Sequence, residues 1–232
     1  MRLIGLLGGM SWQSTAEYYR ILNDLTHVRL GGLHSARCLL YSVDFADIER
    51  MQADGRWEEA GATLGRAAKV LEQGGAEFVV LCTNTMHKVA DQVAAAVSIP
   101  LLHLGDTTAE AVKRRGVTTV GLLGTRFTMS QDFYRGRLAD HGLKVLVPSA
   151  EDQRIVNEII YDELCLGIVK PESRDAYRRI IRSLVAAGAE GVIYGCTEIE
   201  LLVDDTDSPV PVFPTTRLHC EAALDEALRP AS

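Results

Sequence analysis

Cys82 and Cys196 stand at matching places in two phrases of the chain. Gly75-Ala76-Glu77-Phe78-Val79-Val80-Leu81-Cys82-Thr83 is echoed by Gly188-Ala189-Glu190-Gly191-Val192-Ile193-Tyr194-Gly195-Cys196-Thr197. Each thiol therefore closes a short apolar run and opens a polar one, Thr83-Asn84-Thr85-Met86-His87 in the first case and Thr197-Glu198-Ile199-Glu200 in the second. A short apolar run bounded by glycine reads as a buried strand, and open parallel sheets bind ligands at the carboxyl ends of their strands. Backbone N–H groups and the positive end of a following helix would lower the pKa of a thiol there and favour thiolate. Two thiols facing one another suit one task. They can take the weakly acidic α-proton of an amino acid from one face and return a proton to the other, thiolate as base and thiol as acid, with the roles exchanged for the opposite enantiomer. The carbanion-like transition state needs donors around the substrate carboxylate. Backbone N–H groups after Gly8-Gly9, Cys82, Gly124 and Cys196 are placed to supply them, with Ser11, Thr83, Asn84, Thr85, Thr125 and Thr197 as side-chain candidates.

The elements needed to hold these residues follow from hydrophobic patterning. Residues 3–7 form an apolar run ending in Gly8-Gly9, and residues 14–30 have helical spacing with Tyr18, Ile21, Leu22 and Leu25 on one face. Residues 38–43 read as a strand, 57–74 as an Ala-rich helix closed by Gly74-Gly75, 78–81 as a buried strand, 84–97 as a helix and 99–102 as a further apolar run. Strand–helix alternation of this kind gives a mainly parallel sheet with helices on both faces. The pattern then runs again. Val120-Gly121-Leu122-Leu123-Gly124 echoes Ile4-Gly5-Leu6-Leu7-Gly8, and Pro211-Val212-Phe213 with Thr215-Thr216 echoes Pro100-Leu101-Leu102 with Thr107-Thr108. Gly5 and Gly121, Cys82 and Cys196, and Thr107 and Thr215 are spaced by 116, 114 and 108 residues, in the same order. A generic α/β phrase explains one such echo but not three in register, so the expectation is two similar halves.

At 232 residues, against about 150 per domain, the chain is one large domain or two small ones. With 47% hydrophobic and 24% charged residues it has the balance of a globular protein. Lys+Arg 24 against Asp+Glu 31, a net charge of −7, lacks the basic footprint of a nucleic-acid or anionic-membrane binder. No apolar run reaches the length of a membrane span. The apolar start runs into Gly8-Gly9-Met10-Ser11-Trp12 without a cleavage pattern, so it reads as a strand, and the expected compartment is the cytoplasm. Five cysteines without a CxxC suggest neither a disulfide framework nor a zinc site. Cys38, Cys165 and Cys220 read as core thiols.

The phrases Gly8-Gly9-Met10-Ser11-Trp12, Cys82-Thr83-Asn84-Thr85-Met86-His87, Leu123-Gly124-Thr125-Arg126-Phe127-Thr128-Met129 and Gly195-Cys196-Thr197-Glu198 resemble the aspartate/glutamate racemase family, in particular its bacterial broad-specificity amino-acid racemase branch. The resemblance spans essentially the whole chain. It implies two similar Rossmann-like α/β domains related by a pseudo-twofold axis, with the active site in the cleft between them. The expected domains are 1–102 with 212–232, and 103–211. It also implies a homodimer, a small amino-acid substrate, no pyridoxal phosphate or other cofactor, no metal, and Cys82 and Cys196 as the catalytic bases. Met10, Arg50 and Glu198 complete the expected substrate-binding set. Arg50, placed in a loop after Asp44-Phe45, resembles the family's mobile arginine and would hold an acidic side chain. Two departures stand out. Aspartate-specific members carry a lysine where this chain has Cys165, and relatives have an aspartate where it has Pro214. The first loosens strict aspartate specificity and admits neutral relatives such as homoserine beside aspartate and glutamate.

Other readings stand beside this one. Ser11 or Thr15 could simply cap a helix, Glu198 could stabilise a helix start, Arg50 could be a surface charge, and His87, five residues after Cys82, could tune that thiol or simply pack or lie at the surface. Cys82 with His87 lacks two further ligands for a metal. Gly5-x-x-Gly8-Gly9 lacks the GxGxxG spacing of a dinucleotide site. A cis-diacid isomerase or malonate decarboxylase of the same superfamily would also use one or two cysteines, and a non-catalytic amino-acid-binding protein is the alternative of a different class. A thiol redox role is disfavoured by the absence of CxxC, so a disulfide between the two would inactivate.

Overall fold

A computed structural model describes residues 1–230; Ala231 and Ser232, which the sequence reading assigned to the first domain, lie outside the described residues. The elements in order are β1 (Ile4–Gly8), α1 (Trp12–Leu30), β2 (Cys38–Ser42), α2 (Phe45–Ala53), α3 (Trp57–Gln73), β3 (Phe78–Leu81), α4 (Ala90–Ala95), β4 (Leu101–Leu102) and α5 (Leu104–Arg114). They continue with β5 (Thr119–Gly124), α6 (Arg126–Ser130), α7 (Asp132–Asp140), β6 (Lys144–Leu146), α8 (Ala150–Asp162), α9 (Pro171–Ala186), β7 (Gly191–Gly195), α10 (Ile199–Leu202), β8 (Val212–Pro214) and α11 (Thr215–Leu228).

The strands form two four-stranded, wholly parallel sheets, ordered β2-β1-β3-β4 and β6-β5-β7-β8. The same strand order twice gives the internal echo its structural meaning. Gly5 of β1 registers with Val79 of β3, and Gly121 of β5 with Val192 of β7. The inner strands β1, β3 and β7 are buried at every position, as expected where helices cover both faces of a parallel sheet. In the first sheet one core gathers Leu7, Val79 and Leu81 with the small-residue face of α3, and another gathers Ile4, Leu6, Phe78 and Val80 with α1 and α11. In the second, Leu123, Val192 and Tyr194 pack with Tyr177, Ile180, Ile181 and Leu184 of α9 and with α8.

The chain divides into two compact units, Met1–Leu104 with His219–Ser232, and Gly105–Leu218. The sequence reading had put 212–218 with the first domain. That is corrected by β8, which pairs with β7 and so belongs to the second sheet; the return falls inside α11, between Leu218 and His219. Residues 84–97, read as one helix, are a 3₁₀ turn at Thr85–Val89 followed by the short α4, because Val89 (φ −113°, ψ 18°) breaks the helical path. Arg50 is not in a loop. Asp44 accepts a hydrogen bond from Ala46 N–H and caps α2, which carries Arg50. Pro214 ends β8 beside Tyr194, at the edge of its sheet, where no further strand calls for the N–H that proline lacks.

Candidate active site

In the first unit, Cys82 follows β3 immediately, and its N–H donates to Leu7 C=O at 2.9 Å, adding a rung where β1 ends. The loop Gly9-Met10-Ser11 therefore lies at the same carboxyl edge as Cys82-Thr83-Asn84-Thr85. Only glycine serves at position 9. Its φ is +95°, and a Cβ would strike the backbone of Val43. Its N–H donates to Thr15 Oγ1 (2.8 Å), and the Thr15 hydroxyl donates to Ser11 C=O (2.8 Å), folding the loop onto the start of α1. Ser11 Oγ accepts from Ser14 N–H, so its capping role is met. Met10 is buried among Leu7, Ile48 and Met86 in the core. Thr83, Asn84 and Thr85 are buried at the strand end. The Cys82 thiol is fully buried and its S–H donates to Val80 C=O at 3.6 Å. Buried Gln52 donates to Met86 Sδ at 3.0 Å, which ties α2 to the turn after Cys82. Arg50, on that helix, is exposed, with its guanidinium 3.6 Å from Asp47.

The second unit repeats the placement with different partners. Cys196 follows β7, and Gly195 registers with Gly124, so Thr125 and Cys196 share the carboxyl edge of β5 and β7. Thr125 caps α6, its Oγ1 accepting from Thr128 N–H. Thr197 and Thr216 share a hydroxyl hydrogen bond of 2.7 Å, and the Thr215 hydroxyl donates to Tyr194 C=O at 2.9 Å. The Cys196 S–H donates to Glu198 Oε2 at 2.9 Å. Glu198 is buried, makes no side-chain cap hydrogen bond for α10 and accepts from the thiol. Cys165 lies on the 3₁₀ turn Leu164–Leu166, packed against the core that holds Cys196.

Electrostatics at the thiols runs opposite to the expectation. Burial pushes Cys82 far above the ordinary thiol value, with Cys38 adding to the effect. Burial also pushes up Cys196, reinforced by the Glu198 carboxylate and by Cys165, against a smaller downward pull from the Glu198 N–H. Cys165 is pushed up to about 12 by burial and Glu198. The correction has a plain cause: the helical segments after the two strands are single short turns whose N–H groups do not offset the loss of water around a buried anion. Both thiols rest protonated.

Each predicted polar residue except Arg50 thus sits at the carboxyl edge of its own sheet. Two participants were not singled out as site residues. Thr216 entered the sequence reading only as part of an echo, and His87 as a helix-packing or surface residue with tuning of the Cys82 thiol as the alternative. Among the described residues, no group of three or more His, Cys, Asp or Glu is arranged to hold a metal ion, and no helix is long and apolar enough to cross a membrane.

The chain belongs to the Asp/Glu/hydantoin racemase family, which matches residues 7–223. The broad-specificity amino-acid racemase RacX of Bacillus subtilis (strain 168) is 23% identical over 243 residues, covering 97% of this chain and 98% of RacX. An Asp/Glu racemase candidate from Yersinia pestis is 56% identical with a TM-score of 0.93, over 99% of this chain and 100% of that one. An aspartate racemase homologue from Pyrococcus horikoshii OT3 is 35% identical with a TM-score of 0.87, again over 99% and 100%.

Proposed function

We propose that this racemase interconverts the enantiomers of aspartate or glutamate, and of neutral relatives such as homoserine, by exchanging protons between Cα and two thiols, without pyridoxal phosphate or metal. The observation that carries the reading is the equivalence of Cys82 and Cys196. Each is a buried thiol directly after the third strand of its unit, β3 or β7, with hydroxyl and amide side chains beside it. One sulfur, as thiolate, takes the α-proton from one face of Cα. The other, as thiol, gives its proton to the opposite face, so the reverse reaction begins with the roles exchanged. Because both thiols rest protonated, one must first lose its proton to solvent water. The ammonium group of an incoming amino acid favours this, since a nearby positive charge stabilises thiolate. Backbone N–H groups at the two strand ends, with Ser11, Thr83, Asn84, Thr85, Thr125 and Thr197, hold the α-carboxylate and the charge that develops on it. Arg50 binds an acidic side chain. Its exposed pair with Asp47 is worth little, so a substrate carboxylate can replace it. Cys165, in place of a lysine, leaves the side-chain site open to neutral groups.

Proton NMR in D2O, with reduced protein freed of metal and pyridoxal phosphate, tests the reading on a panel of L- and D-amino acids. Loss of the Cα–H signal together with inversion on chiral chromatography is expected for aspartate or glutamate. Absence of exchange on every amino acid would instead favour a diacid isomerase, a decarboxylase or a binding protein.

A further inference from the structure

His87 is buried, and the proton transfers above make no use of it. Both of its ring nitrogens are nevertheless engaged with backbone. Nδ1 lies 2.7 Å from Thr83 C=O, and Nε2 lies 3.1 Å from Leu104 N–H. A carbonyl can only accept and an amide N–H can only donate, so the ring is neutral and carries its proton on Nδ1. The first bond grips the Thr83–Asn84 peptide, one residue beyond Cys82. The second satisfies an N–H at the start of α5, one of the donors a helix leaves unpaired at its N-terminus. Leu104 is also the last residue of the first unit before the chain leaves it. Leu102, two residues earlier at the end of β4, is held in a similar way: His219 Nε2–H donates to Leu102 C=O at 2.9 Å, and the Tyr18 hydroxyl donates to His219 Nδ1 at 2.9 Å. The backbone after Cys82 is thus fastened, through one imidazole, to a segment that a second imidazole fixes in place.

We propose that His87 is a positioning residue for Cys82: its Nδ1–H bond to Thr83 C=O fixes the backbone one residue beyond the cysteine and so aims the sulfur. The proposal rests on the two-thiol reading for its catalytic consequence, though not for its structural content. The geometry separates the two bonds experimentally. Asparagine places an N–H near the position of Nδ1 and so retains the bond to Thr83. Glutamine places an acceptor near Nε2 and so retains the bond to Leu104 while releasing Thr83.

The test combines His87→Asn and His87→Gln with Cys82→Ala and Cys196→Ala. In the Cys196→Ala background, one-face α-proton exchange depends on Cys82. His87→Gln should lower it about 10- to 100-fold, the scale of a reacting group misplaced by about 1 Å, and His87→Asn should restore most of it. In the Cys82→Ala background, where exchange depends on Cys196, His87→Gln should lower it several-fold less, because only the carboxylate donors beside Thr83 and not the reacting sulfur are then displaced. Iodoacetamide labelling of the otherwise intact enzyme, read by peptide mass spectrometry, provides the second readout. His87→Gln should speed labelling of Cys82 about tenfold, the scale of one lost hydrogen bond, without changing that of Cys196. Equal loss of exchange in both backgrounds, equal acceleration of labelling at both thiols, or failure of His87→Asn to differ from His87→Gln would overturn the proposal. If neither background exchanges any amino acid, the two-thiol reading falls, and the labelling comparison alone still decides the role of His87.

Discussion

Replacing Glu198 by glutamine should make Cys196 a faster nucleophile. The carboxylate accepts the Cys196 S–H at 2.9 Å in a buried site, so forming the thiolate places two negative charges about 4 Å apart or less. At an effective dielectric of about 20 that repulsion is about 4 kcal/mol. Glutamine keeps the length and the hydrogen-bonding capacity of the side chain and removes only the charge; the Glu198 backbone N–H that favours thiolate remains. Relief of about 4 kcal/mol raises the thiolate fraction at neutral pH about a thousandfold. Each thiolate of lower basicity is also a weaker nucleophile, with a Brønsted slope near ~0.5, so the net gain in alkylation rate is about thirtyfold. The assay is iodoacetamide labelling at fixed pH, with the Cys196 peptide quantified by mass spectrometry so that the other cysteines do not contribute. Limited access to the sulfur scales the rate alike at every pH and leaves the ratio between variants intact. Glu198→Asp, which keeps the charge, should remain slow. A Glu198→Gln protein that melts like the parent yet alkylates at the same rate or more slowly would refute the argument that carboxylate repulsion holds this thiol protonated.

Other expectations follow from the same structure. Cys82→Ala and Cys196→Ala should each lose two-way racemisation while retaining deuterium uptake from one enantiomer, opposite in the two variants; chiral chromatography with mass analysis would detect it. His219 is held neutral by burial, with its pKa lowered to about 4 from 6.5. Its contribution should be fully present above about pH 6.5 and lost as pH falls toward 4, about 3 kcal/mol in all, so the urea midpoint should drop over that window and drop less in His219→Gln. Asp207 accepts hydrogen bonds from Arg174 (2.8 Å at the shortest) and from Arg178. Burial alone would raise its pKa, but the Arg174, Asp204 N–H and Arg178 bonds bring it down to about 2. The resulting stability is present above about pH 4 and fades toward pH 2. Asp207→Asn should cost about 2 kcal/mol at neutral pH, measured as a lower denaturant midpoint with unchanged slope.

The residues themselves made much of this legible. Glycine before a short apolar run and a cysteine after it locates a buried parallel strand and its carboxyl end, because strand period, burial and turn chemistry are local properties. Repetition of that phrase made the two like units readable, and the repeated strand orders show it was more than a generic α/β pattern. Local patterning failed where a longer-range partner decides. Residues 84–97 have helical spacing, but the segment breaks at Val89, with the His87 ring bonded to Thr83 C=O and Leu104 N–H. Arg50 read as a loop residue because the cap at Asp44 and the Gln52–Met86 bond that seat α2 carry weak sequence signals. The return to the first unit was set too early because β8 is only three residues long, and its allegiance rests on pairing with β7.

What sequence alone determined was therefore the identity and placement of the two thiols and their polar neighbours, since these depend on residue type and on strand ends. What only the tertiary structure decided was their protonation and support. The sign of a thiol pKa shift depends on water excluded by residues remote in sequence and on whichever charge comes to rest beside the sulfur. At Cys82 burial dominates, with Cys38 adding to it, whereas Cys196 also meets Glu198. The His87 ring likewise meets Leu104, seventeen positions away, only when the chain folds. Such pairings have no period or motif, because they arise from the packing of whole elements.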